Sequence, residues 1–183
     1  GDADPAVELL LTKEMDMAEG IAEEIDLINK ERQTIVTEIT KAAIKQVEEQ
    51  YPIDQNSVII VGDYGWNAGV VGIVASKLVE KYYRPAIVLS FDHEKGLAKG
   101  SARSIAGFDL YHNLSQCRDI LPHFGGHPMA AGMTLKLEDV GDLRNRLNNL
   151  ANTILTAEDF IPITDIDASI TLDEATLESI SEM

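Results

Sequence analysis

The chain has one cysteine, Cys117, in 183 residues. That excludes an internal disulfide and any cysteine-built zinc cluster, and it fits a reducing cytoplasm. No apolar run approaches the roughly twenty residues a membrane-crossing helix needs, and no basic-then-apolar segment opens the chain. The expectation is a cytoplasmic protein with no membrane partner. Bases are scarce, 15 Lys and Arg against 31 Asp and Glu, for a net charge of −16. Taken alone, that speaks against a nucleic-acid partner. There is no His-x-x-x-His, no Asp-His-His and no aspartate cluster near the histidines, so no metal site is expected from this chain's own residues. Gly-x-Gly-x-x-Gly and Gly-Lys-Ser/Thr are also missing, which removes the dinucleotide-binding and Walker-type phosphate loops.

The distribution of charge changes the first impression. Residues 1–56 hold 14 acids and 5 bases, and residues 138–183 hold 11 acids and 2 bases. The middle, 57–137, holds 6 acids and 8 bases together with all four histidines. The acidity lies in the flanks, where it reads as solvated helix faces, and the middle block is mildly basic. A hydrophobic content of 45% suffices for a core. The chain opens at Gly1 without an initiator methionine, and residues 171–183 read as the start of another element, so a piece of a longer protein is expected.

Asp4-Pro5 predicts a cap and first helical position for a short helix to Leu11. Thr12 can cap a much longer helix to about Gln50, with Ala18, Ile21, Ile25, Ile28, Ile35, Ile39 and Ala42 as one apolar stripe on a charged rod. Arg32 falls on that stripe, where it calls for a carboxylate or an anion, or else snorkels to the edge. After Tyr51-Pro52 the pattern becomes mixed α/β. Strands are predicted at 57–61, 85–91, 98–104 and 129–137, and helices at 70–83, 108–119 and 138–155. Turns or loops are expected at 63–69 and 122–128. Alternation of this kind predicts a sheet with helices packed on it, preceded by a connector helix. Ile161-Pro162 marks a second boundary, and 165–172 alternates like a strand of a further domain.

Two stretches carry the chemistry. In Gly100-Ser101-Ala102-Arg103-Ser104, hydroxyls and a guanidinium sit beside a small residue, which suits phosphate oxygens. In Phe124-Gly125-Gly126-His127, paired glycines let main-chain N–H groups approach an anion, and the histidine can donate to it or move a proton. The turn before residue 70 opens a helix whose N-terminus can attract an anion, with Trp66 expected to be exposed for stacking on a base. The alternative there is structural, with Gly69 and Gly72 allowing close helix–sheet packing. His112 and His123 read as ordinary surface or core residues.

In order along the chain, Gly65-Trp66-Asn67-Ala68-Gly69-Val70-Val71-Gly72, Arg84-Pro85-Ala86-Ile87-Val88-Leu89, Gly100–Ile105, Gly107-Phe108-Asp109-Leu110 and Phe124–His127 with Ala130-Ala131-Gly132 resemble one family. It is the RecJ family of single-stranded-DNA-specific exonucleases in the DHH phosphoesterase superfamily, and the resemblance covers nearly the whole chain. It implies three parts: a connector region at 1–56, a DHH-associated substrate-binding domain at 57–160, and the truncated start of an OB-like domain at 161–183. It implies a fold with a mixed sheet flanked by helices. A metal-binding half outside this chain would hold two Mn²⁺ or Mg²⁺ ions, which activate water for attack on a phosphodiester. Ser101 and Arg103 would hold a phosphate, the 5′-terminal one, with Ser104 in support. His127, with the Gly125 and Gly126 N–H groups, would face the phosphate nearest the metals, and Arg32 would reach the same phosphate. Trp66, Asn67 and Gly69 complete the implied binding residues. Asn67 departs from the family, which usually has histidine there. An amide keeps a hydrogen bond but no charge or transferable proton, so that position is expected to place substrate only.

The implied function is 5′-to-3′ hydrolysis of single-stranded DNA in repair and recombination. The partners would be single-stranded DNA, the metal-binding half in cis and repair or replication proteins. Two alternatives stand beside it: an oligonucleotide or signalling-dinucleotide phosphodiesterase of the same superfamily, and a non-catalytic repair or replication scaffold.

Overall fold

The computed structural model describes residues 3–164, 166, 169–171 and 176–181. A short helix α1 (Asp4–Leu11) leads into α2 (Met15–Gln50), 36 residues long and about 54 Å at 1.5 Å per residue. The mixed α/β unit follows: β1 (Ile59–Tyr64), α3 (Val71–Tyr82), β2 (Ala86–Asp92), β3 (Leu97–Arg103), α4 (Leu110–Ser115), β4 (His123–His127), β5 (Ala130–Lys136) and α5 (Val140–Ile154). A short helix α6 (Leu177–Ser181) lies near the end. The strand expected at 165–172 falls largely outside the described residues.

The five strands are ordered β1-β2-β3-β5-β4. Only β1 and β2 are parallel, joined through α3; the other neighbours are antiparallel. Alternation along each strand divides the core in two. On one face Ile59 and Val61 of β1 and Ala86 and Val88 of β2 pack against Val71, Val74, Ala75 and Leu78 of α3. The same cluster takes Val36, Ile39, Ala43 and Val47 from α2. On the other face Ile60, Ile87, Leu89, Ala98, Ala102, Met133 and Leu135 meet Leu110 and Leu114 of α4 and Leu143, Leu147 and Ala151 of α5. The three- and four-residue spacing of the α5 set is that of one buried helix stripe.

Strand β1 ends the sheet, and its outward backbone groups need partners. Three side chains supply them. Asn148 accepts from Val58 N–H (3.0 Å) and donates to Val58 O (3.2 Å). Arg144 donates to Ile60 O (3.0 Å). Gln46 of α2 accepts from Gly62 N–H (3.2 Å) and donates to Gly62 O (3.1 Å).

Several local expectations are corrected. Ala3 rather than Asp4 precedes the first helical turn, and no side chain caps it. Thr12 does not cap α2; its Oγ accepts from Glu14 N–H at 3.3 Å. The first strand starts later and runs into the expected turn, through Asp63 and Tyr64. Ile28 and Ala42 are exposed, since the seam that reaches the core runs through Val36, Ile39, Ala43 and Val47. The helix expected at 108–119 shortens to six residues. The loop expected at 122–128 is strand β4, discussed next.

Candidate nucleic-acid interface

On the face that carries α2 and α3, α2 lies over β1 and α3 over β2 and β3, so the same face of β5 and β4 is left open together with the Lys99 end of β3. Cross-strand register arranges its side chains in three rows. Arg103, Ala130 and His127 form the first; Ser101, Gly132 and Gly125 the second; Lys99, Thr134 and His123 the third. No carboxylate stands in any row.

Arg103 and Ser101 lie where the covered part of the face meets the open part. A Cβ placed on Gly72, in the first turn of α3, would lie 3.1 Å from Ser101 Oγ and 3.3 Å from Arg103 Nη2. A small residue at position 72 thus lets the start of α3 come down on these two side chains. Arg103 Nη1 donates to Ala102 O (2.8 Å) and to Ser101 Oγ (3.3 Å). Among the described residues its Nη2 and Nε have no acceptor, and no acidic group pairs with it. The N–H groups of Val71 and Gly72 likewise find no acceptor, as expected for a first helical turn. Guanidinium, hydroxyl and helix N-terminus therefore converge, and each favours negative charge.

His127 ends β4 at a two-residue connection, Pro128-Met129, to β5. Its Nδ1 accepts from Met129 N–H at 3.3 Å. The neutral ring then carries its proton on Nε2, which is left as a donor. The connection is fixed from both sides, because Ser104 N–H donates to Met129 O (3.0 Å) and Leu110 N–H to Pro128 O (2.9 Å). This holds His127 level with Arg103 in the first row.

The glycines divide by cause. A Cβ on Gly126 would lie 2.3 Å from Ala130 O and 2.6 Å from Ala131 Cα, and one on Gly100 would lie 2.6 Å from Val88 O. Those two positions exclude a side chain. Gly125 and Gly132 face each other on the open side, and a Cβ there would meet nothing within 4 Å. Neither has a positive φ. A strand glycine costs roughly 0.5–1 kcal/mol relative to alanine, and nothing within the chain offsets that cost at either position. With Lys99, His123 and Thr134 they line a shallow depression of about 470 Å³.

Other expected site residues are placed differently. Trp66, expected at the surface for stacking, is buried at 8% exposure among Val36, Ile39 and Val70. Ser90 Oγ donates to its carbonyl (2.5 Å). Asn67 is exposed, and its Oδ1 accepts from Gly69 N–H (2.8 Å) while its carbonyl accepts from Val70 N–H (3.0 Å). The Asn67 amide thus shapes the turn into α3, and the Gly69 N–H is already engaged. Ser104 is buried at 5% exposure and spends its hydroxyl proton on Phe108 O. Arg32 is exposed one turn before Val36, with Nε and Nη2 both on Asn29 Oδ1 (3.2 and 2.7 Å). The partner that its position called for is thus a neighbouring amide. The sequence alone does not single out Gly72, Lys99, Thr134 or Gly132 for this face, and His123 looks ordinary in it. The signal is the two-residue alternation along 97–103 and 130–136, which forms a joint surface only once 122–128 is a strand.

The glycine-bearing β4–β5 hairpin, set beside a small-residue strand carrying serine and arginine, invites comparison with known proteins. Residues 55–153 match the family described as the DHHA1 domain. The chain belongs to the DHHA1 family. It is 61% identical over 181 residues to the single-stranded-DNA-specific exonuclease RecJ of Bacillus subtilis, covering 99% of this chain and 23% of that protein. It is 34% identical over 186 residues to the RecJ of Haemophilus influenzae, covering 94% of this chain and 31% of that one. The RecJ of Thermus thermophilus, solved in complex with Mg²⁺, has the same fold at a TM-score of 0.72 and 28% identity, covering 82% of this chain and 23% of that chain. A second structure of it holds Mn²⁺. This DHHA1 chain thus spans between 23% and 31% of the length of those relatives.

The residues here do not fit a divalent metal. Among the described residues no group of three or more His, Cys, Asp or Glu side chains comes together as a ligand set. The open face of the DHHA1 domain offers cations, hydroxyls and N–H donors, a donor set for anions. Among the described residues no helix is long and apolar enough to cross a membrane.

Proposed function

We propose that this chain is the substrate-binding part of a metal-dependent 5′-to-3′ single-stranded-DNA exonuclease that acts in DNA repair and recombination. The observation that carries the reading is the meeting of Arg103, Ser101 and the first turn of α3 around Gly72, with guanidinium and main-chain donors left over and no carboxylate among them. In this reading Ser101 and Arg103 hold the 5′-terminal phosphate. His127 Nε2–H and the Gly125 and Gly126 backbone face the phosphate to be cleaved. Ser104 and Trp66 act from behind, fixing the β4–β5 connection and the turn into α3. Asn67 and Gly69 form that turn. Arg32, one helical turn outside the packed seam, reaches toward the strand when substrate is present.

The nuclease assignment rests on the names of the relatives. The divalent ions of the whole enzyme, Mn²⁺ or Mg²⁺, belong in this reading to a metal-binding half in cis, outside this chain. The three parts follow: connector at 1–56, DHHA1 domain at 57–160, and the start of an OB-like domain at 161–183. A cytoplasmic setting, with repair or replication proteins as further partners, belongs to the same reading because the substrate is there.

The test is a titration of the chain, followed by NMR, with a short single strand carrying or lacking a 5′-phosphate. Shifts are expected at Ser101, Arg103 and His127, with binding weakened by salt and by loss of the phosphate. Arg103→Ala should weaken binding roughly tenfold or more, the worth of a charge-assisted hydrogen bond. Indifference to both the phosphate and the substitution would sink the reading and favour a scaffold.

A further inference from the structure

The phosphate site accounts for the first row of the open face and for Ser101. It leaves three features without a use: the missing side chains at Gly125 and Gly132, which nothing among the described residues requires, and beyond them Lys99 and His123. Both side chains are exposed, and neither makes a hydrogen bond or ion pair among the described residues. They stand two rows beyond Arg103 and His127 on the same strands, with Thr134 between them. Two residues along a strand advance about 7 Å, comparable to one step between phosphates of a stretched single strand, so the two rows correspond to two such steps.

We propose that the row Lys99–Thr134–His123 is a second phosphate subsite. The single strand leaves the Arg103–His127 row, carries one phosphodiester over the bare backbone at Gly125 and Gly132, and presents the following one to Lys99, with His123 and the Thr134 hydroxyl as further donors. The occupant is a polyanion, since the row adds positive charge to a face without carboxylates. The glycines are used because a side chain at either position would lift the strand off the sheet. This rests on the reading of Ser101 and Arg103 as the first phosphate site, and it gives that site a preference for strands over mononucleotides.

The test compares two probes on the chain: a 5′-phosphorylated mononucleotide, which fills only the first site, and a 5′-phosphorylated trinucleotide. Lys99→Ala should weaken the trinucleotide about fivefold and lower its salt slope by roughly 0.7, the share of one phosphate contact on a single strand. It should leave the mononucleotide unchanged. Lys95→Ala removes the same charge from a lysine already paired with Asp92 (2.9 Å) outside the three rows, and should change neither. Gly132→Val, at an open position, should keep the melting temperature and lose trinucleotide affinity. An unchanged trinucleotide with Lys99→Ala, or an equal loss with Lys95→Ala, overturns the second subsite and leaves the first standing. Indifference of both probes to Arg103→Ala, or no binding of either at millimolar concentration, overturns both.

Discussion

Two glycines adjacent in sequence, Gly125 and Gly126, have opposite reasons to be glycine. At Gly126 an added methyl would strike the backbone of Ala130 and Ala131, so Gly126→Ala is expected to destabilise by about 1–3 kcal/mol through overpacking. At Gly125 the same methyl meets open space, and Gly125→Ala is expected to stabilise by about 0.5–1 kcal/mol. Chemical denaturation of the two variants measures both; equal losses would mean that the open face is filled from within the chain. Ser101 and Arg103 were legible as a pair of neighbouring donors because their chemistry is local. Trp66 was not, since a single tryptophan after a glycine looks alike whether it caps a surface or fills the space beneath a helix. Its burial depends on Val36 and Ile39, some thirty residues earlier in the chain.

At the scale of elements, helix and strand periodicity gave the number and order of most pieces, and failed where glycine density mimics a turn. Strand β4 pairs residue for residue with β5 from His123 to His127, and that pairing overrides the weak strand preference of its own sequence. The long helix shows another limit. Its apolar positions recur from Ala18 onward, yet the first buried one is Val36, because the sheet reaches no further up the rod. Removing residues 1–30 is therefore expected to leave a folded unit with a melting temperature within a few degrees of the intact chain. Removing residues 1–47, with Val36, Ile39, Ala43 and Val47, should unfold it. Circular dichroism melts of the two truncations separate these outcomes, and early melting of the shorter deletion would show that the exposed rod contributes stability.

For the molecule as a whole, the packing of α2 on α3 is coupled to pH. Burial, then the neighbouring Glu48 carboxylate, pushes the Tyr82 phenol up to about 12, and its hydroxyl donates to Glu48 Oε1 at 3.2 Å. The folded value lies above the ordinary value of 10.0. The stability linked to Tyr82 is thus fully present below pH 10 and is lost as pH rises from there toward 12. Glu48→Gln should bring the phenol partway down, read as earlier tyrosinate absorbance in an alkaline titration. An unmoved curve would remove Glu48 as a cause and leave burial alone. The charge map behaves similarly at this scale. A chain of net charge −16 still presents Arg103 and Lys99 on a sheet face whose three rows hold no carboxylate.

The seam between α2 and the sheet also sets a phase. Because Val36, Ile39, Ala43 and Val47 lock the C-terminal part of the helix, the part before Val36 can neither turn nor slide independently. A helix advances about 100° per residue. One residue inserted between Arg32 and Val36 would swing everything upstream by more than a quarter turn relative to Ser101 and Arg103. Seven inserted residues would bring it back to within about 20° while lengthening the arm by roughly 10 Å. Whatever is joined to the far end of α2 is clocked to Ser101 and Arg103 by residue count, as a crank is clocked to its shaft.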